Sequence, residues 1–149
     1  MNTTQAQGAA ASNQSAAPHF DAIVIGAGVA GLYQLHRLRE LGMKVRAFET
    51  GTGVGGTWYW NRYPGARFDS QAEIYQYWFS EELYKSWQPS ERFPAQPETE
   101  RWLNHVADKL DLKKDIQFNT RITSAHYDEQ EDLWRITTAD GAEMTAQFL

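Results

Sequence analysis

The chain has 149 residues, no cysteine, and a formal net charge of −5 with acids and bases interspersed along it. At this length one domain buries roughly two-thirds of its unfolded surface, enough for a single core. The composition excludes disulfides and thiol catalysis, offers no basic face to nucleic acid, and fits a reducing cytoplasm.

Residues 1–18, rich in Ala, Gln, Ser and Asn, read as a disordered tail without a basic or apolar targeting segment and without a membrane span. Residues 21–25 read as a strand, 29–41 as a helix with Gly42 at its C-terminal cap, and 44–49 as a second strand. These predict a right-handed βαβ unit. Residues 50–97 are loop-rich, with short helical stretches at 72–79 and 81–87. Eleven of the twenty aromatic residues fall between Trp58 and Trp87, a density that calls for burial or for a planar partner.

Pro97 opens a predicted helix through Leu110 whose Trp102, Leu103, Val106 and Leu110 form a core stripe. Residues 116–118 read as a further parallel strand. Residues 121–127, 133–138 and 143–149 alternate as an antiparallel meander, with Asp140-Gly141 as the last hairpin signal. A strand running to the final residue suggests a truncated chain.

The motif Gly26-Ala27-Gly28-Val29-Ala30-Gly31 directly follows an apolar strand, opens a helix, and precedes a second strand ending in Glu49. Each part has a dinucleotide-binding purpose. Gly26 makes the tight turn, Gly28 admits a phosphate to the backbone, Gly31 lets the helix pack closely, and the pyrophosphate meets the helix N-terminus. Glu49 can accept from ribose hydroxyls and repels a 2′-phosphate, so the site suits FAD or NAD and not NADP. A second glycine run, Gly53-Val54-Gly55-Gly56, would let the chain pass close to a ligand. Arg62, Arg67 and Asp69 flank the Pro64-Gly65 turn, which could aim them into a cleft or leave them paired at the surface. His19, His36, His105 and His126 show no metal-ligand spacing, and no nucleophile–base motif is present. The acidic run from Asp128 to Asp132 reads as a solvated hairpin turn.

The run Gly55-Gly56-Thr57-Trp58-Tyr59-Trp60-Asn61-Arg62-Tyr63-Pro64-Gly65-Ala66-Arg67-Phe68-Asp69, with Phe79-Ser80-Glu81-Glu82-Leu83, closely resembles the flavin-contacting segment of bacterial Baeyer–Villiger monooxygenases. The likeness extends over residues 21–149. It implies an α/β fold: a Rossmann-like, glutathione-reductase-like FAD-binding domain with an antiparallel β-meander, of which residues 19–149 would be the N-terminal part. It also implies an FAD-dependent, NADPH-driven oxygenase that uses dioxygen to turn a ketone into an ester or lactone through a peroxyflavin. Ala30 and Glu49 would then contact the ADP half, and the Ile122 backbone the adenine. Thr57, Trp58, Tyr59, Trp60, Asp69 and Tyr75 would line the flavin side, and Arg67, Phe68 and Asp69 would touch the nicotinamide nucleotide. Asp69 would be the catalytic residue, its carboxylate orienting an arginine that stabilises the peroxyflavin and the oxyanion formed on attack. That arginine, the NADPH glycine motif and the family fingerprint would all follow Leu149, so this chain alone is expected not to turn over ketones. The alternatives are a heteroatom- or N-hydroxylating flavin monooxygenase, or a non-catalytic FAD-binding module.

Overall fold

A computed structural model describes residues 17–149. Its strands are β1 (His19–Ile25), β2 (Val45–Phe48), β3 (Ile116–Gln117), β4 (Ile122–Asp128), β5 (Leu133–Thr138) and β6 (Glu143–Phe148). Its helices are α1 (Val29–Glu40), α2 (Thr57–Trp60), α3 (Glu81–Lys85) and α4 (Gln96–Lys109). The predicted tail lies mostly outside the described residues. Its last residue does not belong to it, because the Pro18 carbonyl accepts from Thr145 N at 3.0 Å.

All six strands form one sheet in the order β3-β2-β1-β6-β5-β4. β1 and β2 pair in parallel with Ala22 opposite Val45 and Ile25 opposite Phe48, and β1 pairs in parallel with β6, His19 opposite Thr145. β6 is also the third strand of the meander, antiparallel to β5 with Ile136 opposite Met144. The meander therefore continues the nucleotide-binding sheet. The two-residue alternation of a strand sends Ala22, Val45 and Ala47 to one face, where they pack with Leu32 and Leu35 of α1 and with Leu103 and Val106 of α4. Ile23 and Phe48 reach the opposite face and join Ile136, Met144 and Ala146.

α1 ends in a Schellman arrangement: Met43 N donates to Leu38 O, and Gly42 N, at φ +77°, donates to Arg39 O. The stripe expected on α4 is core, with Trp102, Leu103 and Val106 buried and Leu110 packed against them. The helix predicted over 72–79 is only a 3-10 turn, Ala72–Tyr75. Gln76 leaves the helical path, and its side-chain amide donates to the carbonyls of Tyr84 and Trp87. The run from Asp128 to Asp132 closes the β4–β5 hairpin as the expected turn, with residues 129–132 exposed. Asp128 accepts from Gln130 N, Glu131 N and Arg135 Nε, and Arg135 also pairs with Glu131. The Arg135 hydrogen bond, aided by those amides, holds the Asp128 carboxyl below its ordinary range.

Candidate functional site

At the end of β1, Gly26 takes φ +95° and donates its N–H to Phe48 O at 2.8 Å, which turns the chain into α1. Gly28 is the N-cap residue of that helix. No side chain caps it, and the first turn carries no acid. The amides of residues 29–31 have no intrahelical acceptor by the geometry of a helix start, and they carry the positive end of the helix dipole. Opposite them, Gly55 N donates to Ala27 O at 3.0 Å. A Cβ on Gly56 would come within 2.8 Å of Gly28 Cα, so the two glycine turns rest directly on each other.

Between them lies a cleft of about 450 Å³, lined by Gly26, Gly28, Ala30 and Gly31 on one side and by Gly56, Thr57, Trp58 and Tyr75 on the other. A backbone-lined cleft facing an open helix N-terminus, with no carboxylate in its first turn, fits a pyrophosphate. These residues therefore fit the dinucleotide that the motif implies.

Glu49 follows β2 and is 5 % exposed. Its Oε2 accepts from Ala27 N at 2.8 Å and its Oε1 from Gly51 N at 2.7 Å. The carboxylate thus ties the middle of the glycine motif to the loop after β2, and it is not part of the cleft lining. A carboxylate has about four acceptor positions, so each oxygen keeps one for a further donor.

The aromatic residues divide. Trp58 is 6 % exposed and meets Tyr75 edge-on at 5.8 Å, and both line the cleft. Phe68, expected at the nicotinamide, instead turns its ring into the core. There it stacks on Tyr75 at 4.3 Å and meets Trp58 edge-on at 5.5 Å. Tyr59 also turns away from the cleft. Its ring lies under Gly51, where a Cβ would meet it at 2.6 Å, and its hydroxyl bonds to Thr52 N and Oγ1. Those bonds hold the Tyr59 hydroxyl below the ordinary tyrosine pKa. Trp60 is exposed against the edge of Tyr59. The glycines before Gly55 thus make room for a ring of this chain as well as for any ligand.

Arg67 bonds to Glu91 at 3.0 Å, and Arg62 pairs with Glu100, so both arginines are committed to acids outside the cleft. Asp69 is exposed just past the Pro64-Gly65 turn and is not among the lining residues. Ile122 opens β4 opposite Thr138, beside a bulge, and packs on the second core cluster.

Three residues that shape the cleft wall were not legible as such. Gln96 Nε2 donates to Trp58 O, Trp102 Nε1 donates to Tyr75 O at 2.8 Å, and Tyr77 donates its hydroxyl to Val29 O at 2.7 Å. The one local signal was Gln96 four residues before Glu100 on a helix.

A second groove of about 490 Å³ holds Ser86, Trp87, Trp102 and His105. Ser86 donates its hydroxyl to Leu83 O at 2.6 Å, so the His105 Nε2 contact at 3.0 Å places a ring N–H on that oxygen. A serine bound in this way is not activated as a nucleophile. No helix among the described residues is long and apolar enough to cross a membrane.

A profile of NAD(P)-binding Rossmann-like domains matches residues 24–88. Over 129 residues, 87 % of this chain and 24 % of the relative, the sequence is 66 % identical to acetone monooxygenase (methyl acetate-forming) of Gordonia sp. strain TY-5. It is 52 % identical over 132 residues, 88 % of this chain and 24 % of the relative, to phenazine N-monooxygenase PhzNO1 of Lysobacter antibioticus. The structure of oxidized steroid monooxygenase bound to NADP superposes with a TM-score of 0.83 at 52 % identity, covering 86 % of this chain and 25 % of that one. The chain therefore spans about a quarter of the length of the curated relatives it matches.

Proposed function

Since the chain belongs to the Baeyer–Villiger monooxygenases and matches about the first quarter of their length, we propose that it forms the FAD-binding turn and part of the flavin wall of an NADPH-driven oxygenase. That enzyme converts a small ketone to an ester or lactone. The observation that carries this reading is the 66 % identity to a relative named for making methyl acetate from acetone. In such a reaction one atom of dioxygen enters beside the carbonyl carbon and the other leaves as water, with NADPH and a proton as reductant. FAD, when bound, supplies the oxygen-activating chemistry.

This chain's residues bind, orient and exclude water. The amides of residues 29–31 and the turn at Gly26 and Gly28 receive the pyrophosphate, with Ala30 alongside. Glu49 fixes that turn through Ala27 and offers its free acceptor positions to the ribose. The Ile122 backbone borders the adenine. Thr57, Trp58 and Tyr75 cover the flavin side against water. Asp69 serves as the acid that orients a cation beside the reacting atoms, an electrostatic role, and the chain near Arg67 borders the nicotinamide nucleotide. A cytoplasmic location belongs to the same reading and is supported by the absence of cysteine.

Oxygenation at nitrogen is the second reading, supported by the 52 % identity to the phenazine N-monooxygenase. A chimera separates the two: this chain replaces the matching quarter of the Gordonia enzyme, and purified protein is given NADPH with acetone, cyclic ketones or phenazine. Ester or lactone above the no-protein control supports the ketone reading, and N-oxide alone supports the other. A chimera that folds yet retains no FAD overturns both. In the same chimera Asp69→Ala should keep FAD, lower ester formation about 10²- to 10³-fold, and leave NADPH consumption running as peroxide release.

A further inference from the structure

We propose that Gln96, acting with Glu100 and Arg62, is a positioning residue that fixes α2 and so sets the wall of the cleft presented by Thr57 and Trp58. The importance of that wall for a flavin rests on the function proposed above. α2 is a single turn of four residues. One turn does not persist in water by itself, and its last carbonyls need donor partners from elsewhere. Thr57 O receives Asn61 N at 2.9 Å and Asn61 Nδ2 at 3.0 Å. Tyr59 O receives Arg62 Nε at 2.8 Å. Trp58 O, between them, receives the side chain of Gln96, 38 positions away on α4.

The orientation of the Gln96 amide is dictated by its neighbours. Trp58 O and Glu100 Oε2, the latter at 2.9 Å, can only accept, so the amide nitrogen must face both. Glu100 uses its other oxygen for Arg62, whose Nε caps Tyr59 O. One carboxylate thereby holds two of the three side-chain donors that complete α2, Gln96 and Arg62. The Gln96 backbone is held too, its N–H donating to Ala66 O at 2.8 Å. Gln96 is 5 % exposed, so removing its donor leaves a carbonyl near the cleft without a partner and without ready access to water. Two turns further along α4, Trp102 holds the carbonyl of Tyr75, so the same helix anchors both aromatic walls.

The test uses the 149-residue chain with and without added FAD. In Gln96→Leu, the amides of Tyr59, Trp60 and Asn61 should exchange with solvent about tenfold faster in flavin-free protein, while those of Val24 and Ala47 in β1 and β2 keep their rates. The FAD dissociation constant should rise about tenfold. Gln96→Glu, which sets an acceptor against two acceptors, should behave at least as badly. Glu100→Gln, which still offers Gln96 an acceptor, should restore most of both properties relative to Glu100→Ala. Unchanged exchange in α2 overturns the proposal, as does equal acceleration in α2 and β1, and as does faster α2 exchange with unaltered FAD affinity. If the unmodified chain takes up no FAD, the affinity comparison is made in the chimera described above, where loss of FAD overturns the functional reading. The exchange rates of flavin-free protein then still decide whether Gln96 holds α2.

Discussion

A methyl group on Gly31 would lie 2.0 Å from the carbonyl oxygen of Gly26 and 3.6 Å from a Val24 methyl. Backbone oxygen cannot yield as a flexible side chain does, so the third glycine of the motif is required by the turn itself, whether or not nucleotide is bound. Gly31→Ala should push α1 off β1 and destabilise the flavin-free protein by about 1–3 kcal/mol. Denaturant unfolding of that form checks it. An unchanged midpoint would mean that Gly31 serves ligand approach alone.

Glu49→Ala should also destabilise the protein without flavin, because the amides of Ala27 and Gly51 lose their buried acceptor. The expected loss is about 2–4 kcal/mol, from two hydrogen bonds to a charged group. Glu49→Gln, keeping one acceptor oxygen, should lose less. If stability is unaltered while FAD affinity falls, the carboxylate works only on the ribose and the bridging role is wrong.

Phe68→Ala should act as a core truncation, costing about 3–5 kcal/mol. Its ring is buried between Trp58 and Tyr75. Phe68→Leu should recover most of that stability. A variant of normal stability whose only defect is weak NADPH binding would restore the nicotinamide role expected from the sequence.

Burial holds the Tyr77 hydroxyl above the ordinary tyrosine pKa, and its proton is donated to Val29 O. The folded state therefore favours the protonated phenol. The stability linked to this group is complete below the unfolded value of about 10 and falls as pH rises beyond it. Unfolding free energy should drop steeply in the wild type from about pH 10 upward. Tyr77→Phe should begin about 1 kcal/mol lower at neutral pH and lose less on the alkaline side. Parallel pH profiles for the two proteins would remove Tyr77 from the account.

The βαβ start was legible because three independent patterns agree at Gly26, Gly28 and Gly31: an apolar strand before, a helical stripe after, and an acid ending the next strand. The α4 stripe was legible from helical periodicity over about two turns, from Trp102 to Leu110, behind the opening Pro97. The aromatic stretch was not. Sequence shows that Trp58, Tyr59, Trp60, Phe68 and Tyr75 need partners, but not that Phe68 takes Tyr75 and Tyr59 takes the Gly51 loop. Those partners lie close in the chain but across irregular turns that carry no periodicity, whereas Arg62 and Glu100 are 38 positions apart and Arg67 and Glu91 are 24 apart. Gln96 escaped notice because its partner is a backbone carbonyl, which leaves no trace in residue type.

The place of β6 in the sheet bears on how the protein is made. The first strand, which carries the nucleotide turn, finds one neighbour in β2 within about two dozen residues, but its other neighbour pairs His19 with Thr145, 126 positions later. A ribosome delivers the turn long before it delivers the strand that shields that flank. During synthesis the flank of β1 is an unpaired edge, and sheet closure carries the loop entropy of the 126 positions that separate the two strands. Closure of β1 against β6 should therefore be slow compared with formation of the β1–α1–β2 unit, and nascent chains halted before Glu143 should be the species that chaperones and proteases recognise.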